Sequence, residues 1–298
     1  MNILVSGSTG LVGSSLLLYL GSKGHQIKTL VRQKPSHPSQ IYWNPLESGP
    51  AVEALEGVEA VIHLAGEGIA SGRWTEAKKR AIRESRELGT RILSESLARM
   101  QKPPKVFVCA SAIGYYGDRG ADVLTENAAA GTGFLPEVCK AWETATAPAA
   151  QKGIRVVNLR FGIILSPNGG ALAKMLLPFK MGVGGILGSG VQYMSWIALG
   201  DILGIIAFAM TSDFLRGPVN AVAPQPVTNA EYTKTLGRVL KRPTIFPMPA
   251  FAARLAFGEM ADALLLSSAR VEPAALLRSG YRFQWGELEG ALRHLLKK

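Results

Sequence analysis

Three glycines near the start of the chain, Gly7, Gly10 and Gly13, constrain its fold more than any other feature. They follow a short apolar run, Asn2–Val5, and open a longer one, Leu11–Leu20, so the pattern predicts a strand, a turn and a helix. In such a turn the first glycine permits a sharp bend, the second lets backbone reach a pyrophosphate, and the third allows close helix packing. The spacing is G-x2-G-x2-G, whereas standard dehydrogenases have G-x-G-x2-G. We expect a dinucleotide to bind here, with an ordinary glycine-rich turn as the alternative, and the contacting residues would be Gly7, Ser8, Thr9, Gly10, Leu11, Val12 and Gly13.

The end of the second predicted strand, Ile27–Val31, distinguishes NADP from NAD. An NAD site normally has Asp or Glu there to bind the ribose hydroxyls, but no acidic residue precedes Glu47. The strand is followed instead by Arg32, and a guanidinium binds phosphate well. We therefore predict NADP as the cofactor, with Arg32 on its 2′-phosphate. The alternative is that Arg32 is only a surface cation.

The rest of the first half alternates short apolar strands with helices, which predicts an α/β fold with a Rossmann-type, doubly wound parallel sheet. The further strands are Ala60–Leu64, Lys105–Cys109 and Arg155–Leu159, and the helices between them are Thr75–Met100 and Phe134–Gln151.

The pattern changes near Leu165, where turns and glycines become frequent. We expect residues 1–165 to form the cofactor-binding lobe, completed by a strand near 217–222, and residues 166–298 to form most of a smaller C-terminal substrate lobe. Its predicted elements are the helices Asn229–Leu240, Pro249–Leu266 and Gly286–Leu296 and the strand Tyr281–Trp285.

Composition narrows the list of partners. The net charge is +11, but the basic residues are scattered and the densest cluster, Arg73 to Arg86, also contains Glu76 and Glu84. No nucleic-acid motif accompanies the charge, and no apolar stretch reaches the roughly 20 residues of a membrane span. The two cysteines suggest neither a disulfide framework nor a metal site. We expect a cytoplasmic monomer or homodimer that binds a small molecule, without a nucleic-acid or membrane partner.

Several further motifs resemble one family. They include Leu64-Ala65-Gly66-Glu67, Arg73-Trp74, Ser85-Arg86, Ser111 to Gly117, Trp142-Glu143, and Ser195-Trp196-Ile197. With the glycine turn they make the whole chain resemble an extended short-chain dehydrogenase/reductase of the NAD-dependent epimerase/dehydratase type. The resemblance implies that the cofactor also contacts Leu64, Ala65, Gly66, Arg86 and Ile164.

The resemblance also implies which groups react. In the class, a Tyr exchanges a proton with the substrate, a Lys four residues later lowers the pKa of that Tyr, and a Ser binds the reacting oxygen. Ser111 and Lys140 match the Ser and the Lys, but Pro136 stands where the Tyr should be. Tyr115 or Tyr116 is the alternative proton donor, and Cys139 or Glu143 is a further one.

We expect an NADP(H)-dependent oxidoreductase or epimerase-like enzyme acting on a carbonyl or sugar-like substrate. The glycine-rich loop Met181–Gly190, with Tyr193 and Trp196, is expected to cover its pocket. Because the usual Tyr is missing, the alternative is a regulatory protein that binds NADP(H) with little or no turnover.

Overall fold

A computed structural model describes residues Met1–Lys298. The strands are β1 Asn2–Ser6, β2 Gln26–Val31, β3 Gln40–Tyr42, β4 Ala60–His63, β5 Val106–Ala112, β6 Val123–Leu124, β7 Arg155–Phe161, β8 Ile163–Ser166, β9 Tyr193–Met194, β10 Trp196–Ala198, β11 Gly217–Ala221, β12 Val227–Thr228 and β13 Arg270–Val271. The helices are α1 Leu11–Ser22, α2 Val52–Leu55, α3 Glu76–Arg99, α4 Phe134–Thr144, α5 Ala147–Gln151, α6 Gly170–Lys180, α7 Leu199–Thr211, α8 Asn229–Leu240, α9 Ala250–Phe257, α10 Ala274–Arg278 and α11 Leu288–Leu296. A 3₁₀ turn spans Ile113–Tyr116, and a π-helical turn spans Ala261–Leu266.

Seven of the strands form one parallel sheet in the order β11-β7-β5-β4-β1-β2-β3. The chain order reverses beside β1, so the crevice at the carboxyl ends of β1 and β4 is where a sheet of this kind binds its ligand. The predicted Rossmann-type sheet is confirmed. Its last strand, β11, lies where a strand near 217–222 was expected.

Helices cover both faces of the sheet. On one face, Leu16 of α1 and Ile202 of α7 pack against the apolar strand residues. On the other face, Leu93 of α3 and Ala149 of α5 do the same. A separate apolar cluster joins α6, α8 and α11, and the division of the chain into two lobes stays a prediction.

Three predicted elements were wrong in detail. The helix expected over Phe134–Gln151 is broken after Thr144, because Pro148 lacks the N–H that would continue it. The helix expected over Pro249–Leu266 stops at Gly258, which adopts a φ of +61°. The segment Tyr281–Trp285 is not a strand, because its last two N–H groups donate to the buried carboxylate of Asp201.

Candidate functional site

The turn between β1 and α1 has a backbone that only glycine fits at two positions. Gly7 has a φ of +71°, and a Cβ there would lie 2.7 Å from the backbone N of Ala65. A Cβ on Gly13 would lie 2.1 Å from the carbonyl oxygen of Gly7. No side chain caps α1, and no acidic residue lies in its first turn. The Gly10 N–H donates to the Gly7 carbonyl at 3.1 Å, and the N–H groups in the first turn of α1 remain available to bind a phosphate.

A buried polar network holds β4 against this turn. The Ser6 Oγ accepts hydrogen bonds from the N–H groups of Leu64 and Ala65 at 3.2 and 3.4 Å, and it lies 2.6 Å from His63 Nδ1. His63 Nε2 lies 3.0 Å from the Thr90 hydroxyl on α3. The network fixes the Leu64–Gly66 backbone beside Gly7, where the sequence predicted cofactor contacts.

Arg32 and Arg86 form part of a cationic region at the same edge of the sheet. Arg32 is exposed at the end of β2, and its side chain has no hydrogen-bond or ion-pair partner. Arg86 lies beneath Gly66, donates from Nη1 to the Glu67 carbonyl at 2.9 Å, and stacks on Trp142 with 4.9 Å to the ring centroid. Both residues lie at the edge of the sheet where cofactor contacts were expected, and the contacts themselves stay a prediction.

The sequence did not predict an acid at this edge, but Glu67 supplies one from the end of β4. Its carboxylate binds Lys78 at 2.5 Å, and this hydrogen bond, with the nearby charges of Arg32 and Arg86, lowers the pKa of Glu67. Three cations thus surround one carboxylate, so the region remains positive and suited to a phosphate. The Leu64-Ala65-Gly66-Glu67 motif was the available signal for this acid.

At the reacting end, Ser111 is part of a buried polar network and faces away from solvent. Only 2% of Ser111 is exposed, and its hydroxyl donates to Glu143 Oε1 at 2.7 Å. Glu143 also accepts two hydrogen bonds from Arg160, at 2.7 and 2.8 Å. Burial opposes the charge on Arg160, but Glu143 outweighs that effect and raises the pKa of Arg160. The predicted contact of Ser111 with a substrate oxygen would require it to leave this network.

The two candidate tyrosines differ in their surroundings. Tyr116 is fully buried, and its hydroxyl lies 2.9 Å from Arg160 Nη1 and 2.7 Å from Asn220 Oδ1. Burial raises the pKa of Tyr116, so its hydroxyl is a weaker acid and donates a proton to a substrate less readily. Tyr115 is half-buried, its ring stacks on the Arg160 guanidinium at 3.5 Å, and its hydroxyl has no hydrogen-bond partner. Of the two hydroxyl groups, only that of Tyr115 has no hydrogen-bond partner within the chain, and the role of either tyrosine as proton donor stays a prediction.

The remaining candidates lie on α4. Pro136 is buried against Gly117, and Cys139 is buried in an environment that raises its pKa to about 12. The Cys139 thiol is thus inert near neutral pH. Lys140 is exposed one turn after Pro136, and its side chain has no hydrogen-bond or ion-pair partner.

Residues 3–220 match the model of the NAD dependent epimerase/dehydratase family. The chain belongs to that family. Residues 248–295 match a second model, a domain of unknown function called DUF1731. The resemblance read from the sequence motifs is confirmed, and the second match begins just before α9.

Similar proteins align with nearly the whole length of this chain. "Epimerase family protein Mb2239" of Mycobacterium bovis is 44% identical over 290 residues, which are 97% of this chain and 96% of the relative. The human "Epimerase family protein SDR39U1" is 35% identical over 299 residues, which are 99% of this chain and 100% of the relative. A crystal structure of the human protein with NADPH matches this fold with a TM-score of 0.92 at 32% identity, covering 100% of this chain and 99% of that one. The predicted cofactor agrees with the NADPH in that structure.

Proposed function

We propose that this chain binds NADP(H) and uses it in redox or epimerisation chemistry on a small carbonyl or sugar-like substrate. One observation supports the binding above all others. The β1–α1 turn has two positions that admit only glycine, an uncapped helix N-terminus, and the unpaired Arg32 at the same edge of the sheet. The human relative of known structure was crystallised with NADPH, which supports the same assignment.

Each part of the cofactor has a matching group in the chain. The N–H groups at the start of α1 suit the pyrophosphate, Arg32 suits the 2′-phosphate, and the backbone of Leu64–Gly66 suits the ribose between them. When bound, the nicotinamide supplies or accepts a hydride. Lys140 is the cation available to bind its ribose. Tyr115 is the group available to give or take the proton of a substrate oxygen.

A second function, binding of NADP(H) without turnover, is favoured by the state of the usual catalytic positions. Pro136 replaces the Tyr, while Ser111 and Tyr116 are buried in a network with Glu143 and Arg160. Such a chain would act through the presence of the bound cofactor, as a regulatory protein does.

The cofactor assignment is tested by titrating NADPH and NADH into the protein and following fluorescence. Loss of a charged hydrogen bond to phosphate costs about 1.5–3 kcal/mol, so Arg32→Glu should weaken NADPH binding by about tenfold or more. NADH binding should change far less, because NADH lacks the 2′-phosphate. Lys102→Glu, an exposed charge reversal after α3, is the control. Equal loss of both cofactors in Arg32→Glu would contradict the assignment.

The choice between the two functions is tested by turnover. Carbonyl compounds and sugar nucleotides are screened with NADPH, whose absorbance reports net hydride transfer. The same substrates are screened with NADP+ and their epimers are separated by chromatography, because epimerisation leaves the cofactor absorbance unchanged. If an activity is found, Tyr115→Phe should abolish it while leaving NADPH affinity unchanged. Ser111→Ala should retain it, because the Ser111 hydroxyl binds Glu143. The opposite pattern would return Ser111 to the mechanism, and no turnover with any substrate would favour the regulatory function.

A further inference from the structure

The second half of the chain carries an exposed group of apolar side chains, two of which belong to the Met181–Gly190 loop that is expected to cover the substrate pocket. We call it the apolar patch, and it consists of Met181, Val183, Ile245, Phe246, Phe251 and Leu255. Ile245, Phe251 and Leu255 are each more than 70% exposed. Single exposed apolar residues are ordinary on protein surfaces, whereas a group of six large ones marks an interaction site.

Backbone contacts hold the parts of the apolar patch together. The segment after α6 runs beside the segment before α9, with hydrogen bonds from Met248 N to the Ile186 carbonyl at 2.8 Å and from Gly188 N to the Met248 carbonyl at 2.9 Å. The Arg242 side chain also donates to the Lys180 carbonyl at 2.9 Å. Phe251 and Leu255 are four residues apart on α9, so they lie on one face of that helix.

The segments that carry the apolar patch contain cations and no carboxylate. No Asp or Glu occurs between Glu143 and Asp201, or between Glu231 and Glu259, and these two intervals contain the whole patch. Lys180, Lys241 and Arg242 are exposed within the same intervals, and none of them forms an ion pair with a carboxylate. The neighbouring Arg254 is balanced by Asp262 at 2.9 Å. The complementary partner is therefore anionic and also accepts apolar side chains.

We propose that the apolar patch binds the surface of an anionic lipid bilayer, with the apolar side chains entering the headgroup boundary and the cations facing the lipid phosphates. Exposed fractions near three quarters indicate side chains that project outward, which suits insertion into lipid. Lysine and arginine beside such side chains add attraction to anionic lipid. The expectation of no membrane partner rested on the lack of a spanning segment, and no helix here is long and apolar enough to cross a bilayer. A surface contact needs no such helix.

The proposal is tested by flotation with vesicles of phosphatidylcholine alone and of an equal mixture with phosphatidylglycerol. The full chain should bind the mixed vesicles and bind the neutral ones weakly. Because burial of a Leu or Phe is worth about 1.5–3 kcal/mol, the double variant Phe251→Ser with Leu255→Ser should lose about tenfold or more in partitioning. Lys180→Gln and Lys241→Gln should each lose about fivefold on the mixed vesicles only.

Two matched variants serve as controls. Phe214→Ser removes an apolar side chain that is 87% exposed outside the apolar patch, and Lys102→Gln removes an exposed cation outside it. Both should bind vesicles as the unchanged protein does, and all variants should keep their melting temperature and NADPH affinity. Absence of binding to mixed vesicles would overturn the proposal, as would an equal loss in Phe214→Ser. A lipid-free dimer that the Phe251/Leu255 double variant dissociates in sedimentation velocity would also overturn it, because the apolar patch would then join two copies of the chain.

Discussion

The buried imidazole of His63 should make the stability of this protein depend on pH near the cofactor turn. His63 lies at the end of β4 with no exposed surface, and burial lowers its pKa from 6.5 to about 4. Ser6 Oγ already accepts two N–H groups, so its own proton is directed at His63 Nδ1. The ring then carries its proton on Nε2 and donates to Thr90. A second proton, on Nδ1, would place that N–H against the Ser6 O–H, so that two hydrogen-bond donors would face each other.

The size of the effect follows from the difference between the two pKa values. The unfolded chain binds a proton at His63 below pH 6.5, whereas the folded chain does so only near pH 4. Unfolding therefore takes up a proton between these values, and the free energy of unfolding falls as the pH falls. At about 1.36 kcal/mol for each pKa unit, His63 alone removes about 2 kcal/mol by pH 5 and about 3 kcal/mol by pH 4.

The assay is urea unfolding followed by circular dichroism at pH 8 and at pH 5, on the unchanged protein and on His63→Asn. The variant will be less stable at both pH values because it alters the contacts with Ser6 and Thr90. Its loss of stability between pH 8 and pH 5 should nevertheless be smaller than that of the unchanged protein by about 2 kcal/mol. All other titrating groups are common to both proteins and cancel in this comparison. Equal losses in the two proteins would refute the assignment of a low pKa to His63.

Three substitutions test other contacts. Gly13→Ala should reduce NADPH affinity at least tenfold and destabilise the fold by about 1–3 kcal/mol, because the new Cβ would clash with the Gly7 carbonyl. The control for titration and melting is Gly21→Ala in the same helix, where nothing lies within 4 Å of the new Cβ. Arg155→Met should lower the free energy of unfolding in urea by about 2–4 kcal/mol, because the Arg155 guanidinium donates to three buried carbonyls at 2.8–3.1 Å. A loss no larger than that for the substitution of an exposed arginine would contradict this role. Asp201→Asn should lower the free energy of unfolding by about 1–2 kcal/mol, because both N–H groups of Gln284 and Trp285 lose a charged acceptor and one of them faces the amide NH2 instead of an oxygen. An unchanged melting temperature would show that the segment is held by other contacts.

The sequence was sufficient to predict the cofactor half of the molecule because its signals are local. The glycine turn joins one strand to the next helix within a few residues, and Arg32 follows the second strand directly. Continuous apolar strands such as Ala60–His63 indicate burial on both faces of a parallel sheet. In each case the residues that determine the structure are neighbours in the chain.

One wrongly predicted element depends on a contact between distant residues, whereas the two overlong helices are interrupted near Pro148 and Gly258, inside the predicted segments themselves. The Tyr281–Trp285 segment has a strand-like composition, but its N–H groups bind Asp201, about eighty residues away in the chain. Glu67 lies in the cationic region because its carboxylate binds Lys78, which is on the next helix. Apolar periodicity carries no information on such pairings, so only the fold could place them.

The reacting end shows why a matched residue type does not establish a matched role. Ser111 occupies the expected place after β5, but successive side chains on a strand point to opposite faces, and its hydroxyl points to Glu143. Glu143 is held in turn by Arg160, and Arg160 binds Tyr116. The polar groups of this network thus satisfy one another, and removing a proton from any of them would break a buried hydrogen bond. If a reaction occurs at this site, we expect it to use an acid outside the network, and Tyr115, stacked on Arg160 with its hydroxyl unpaired, is the candidate that we propose.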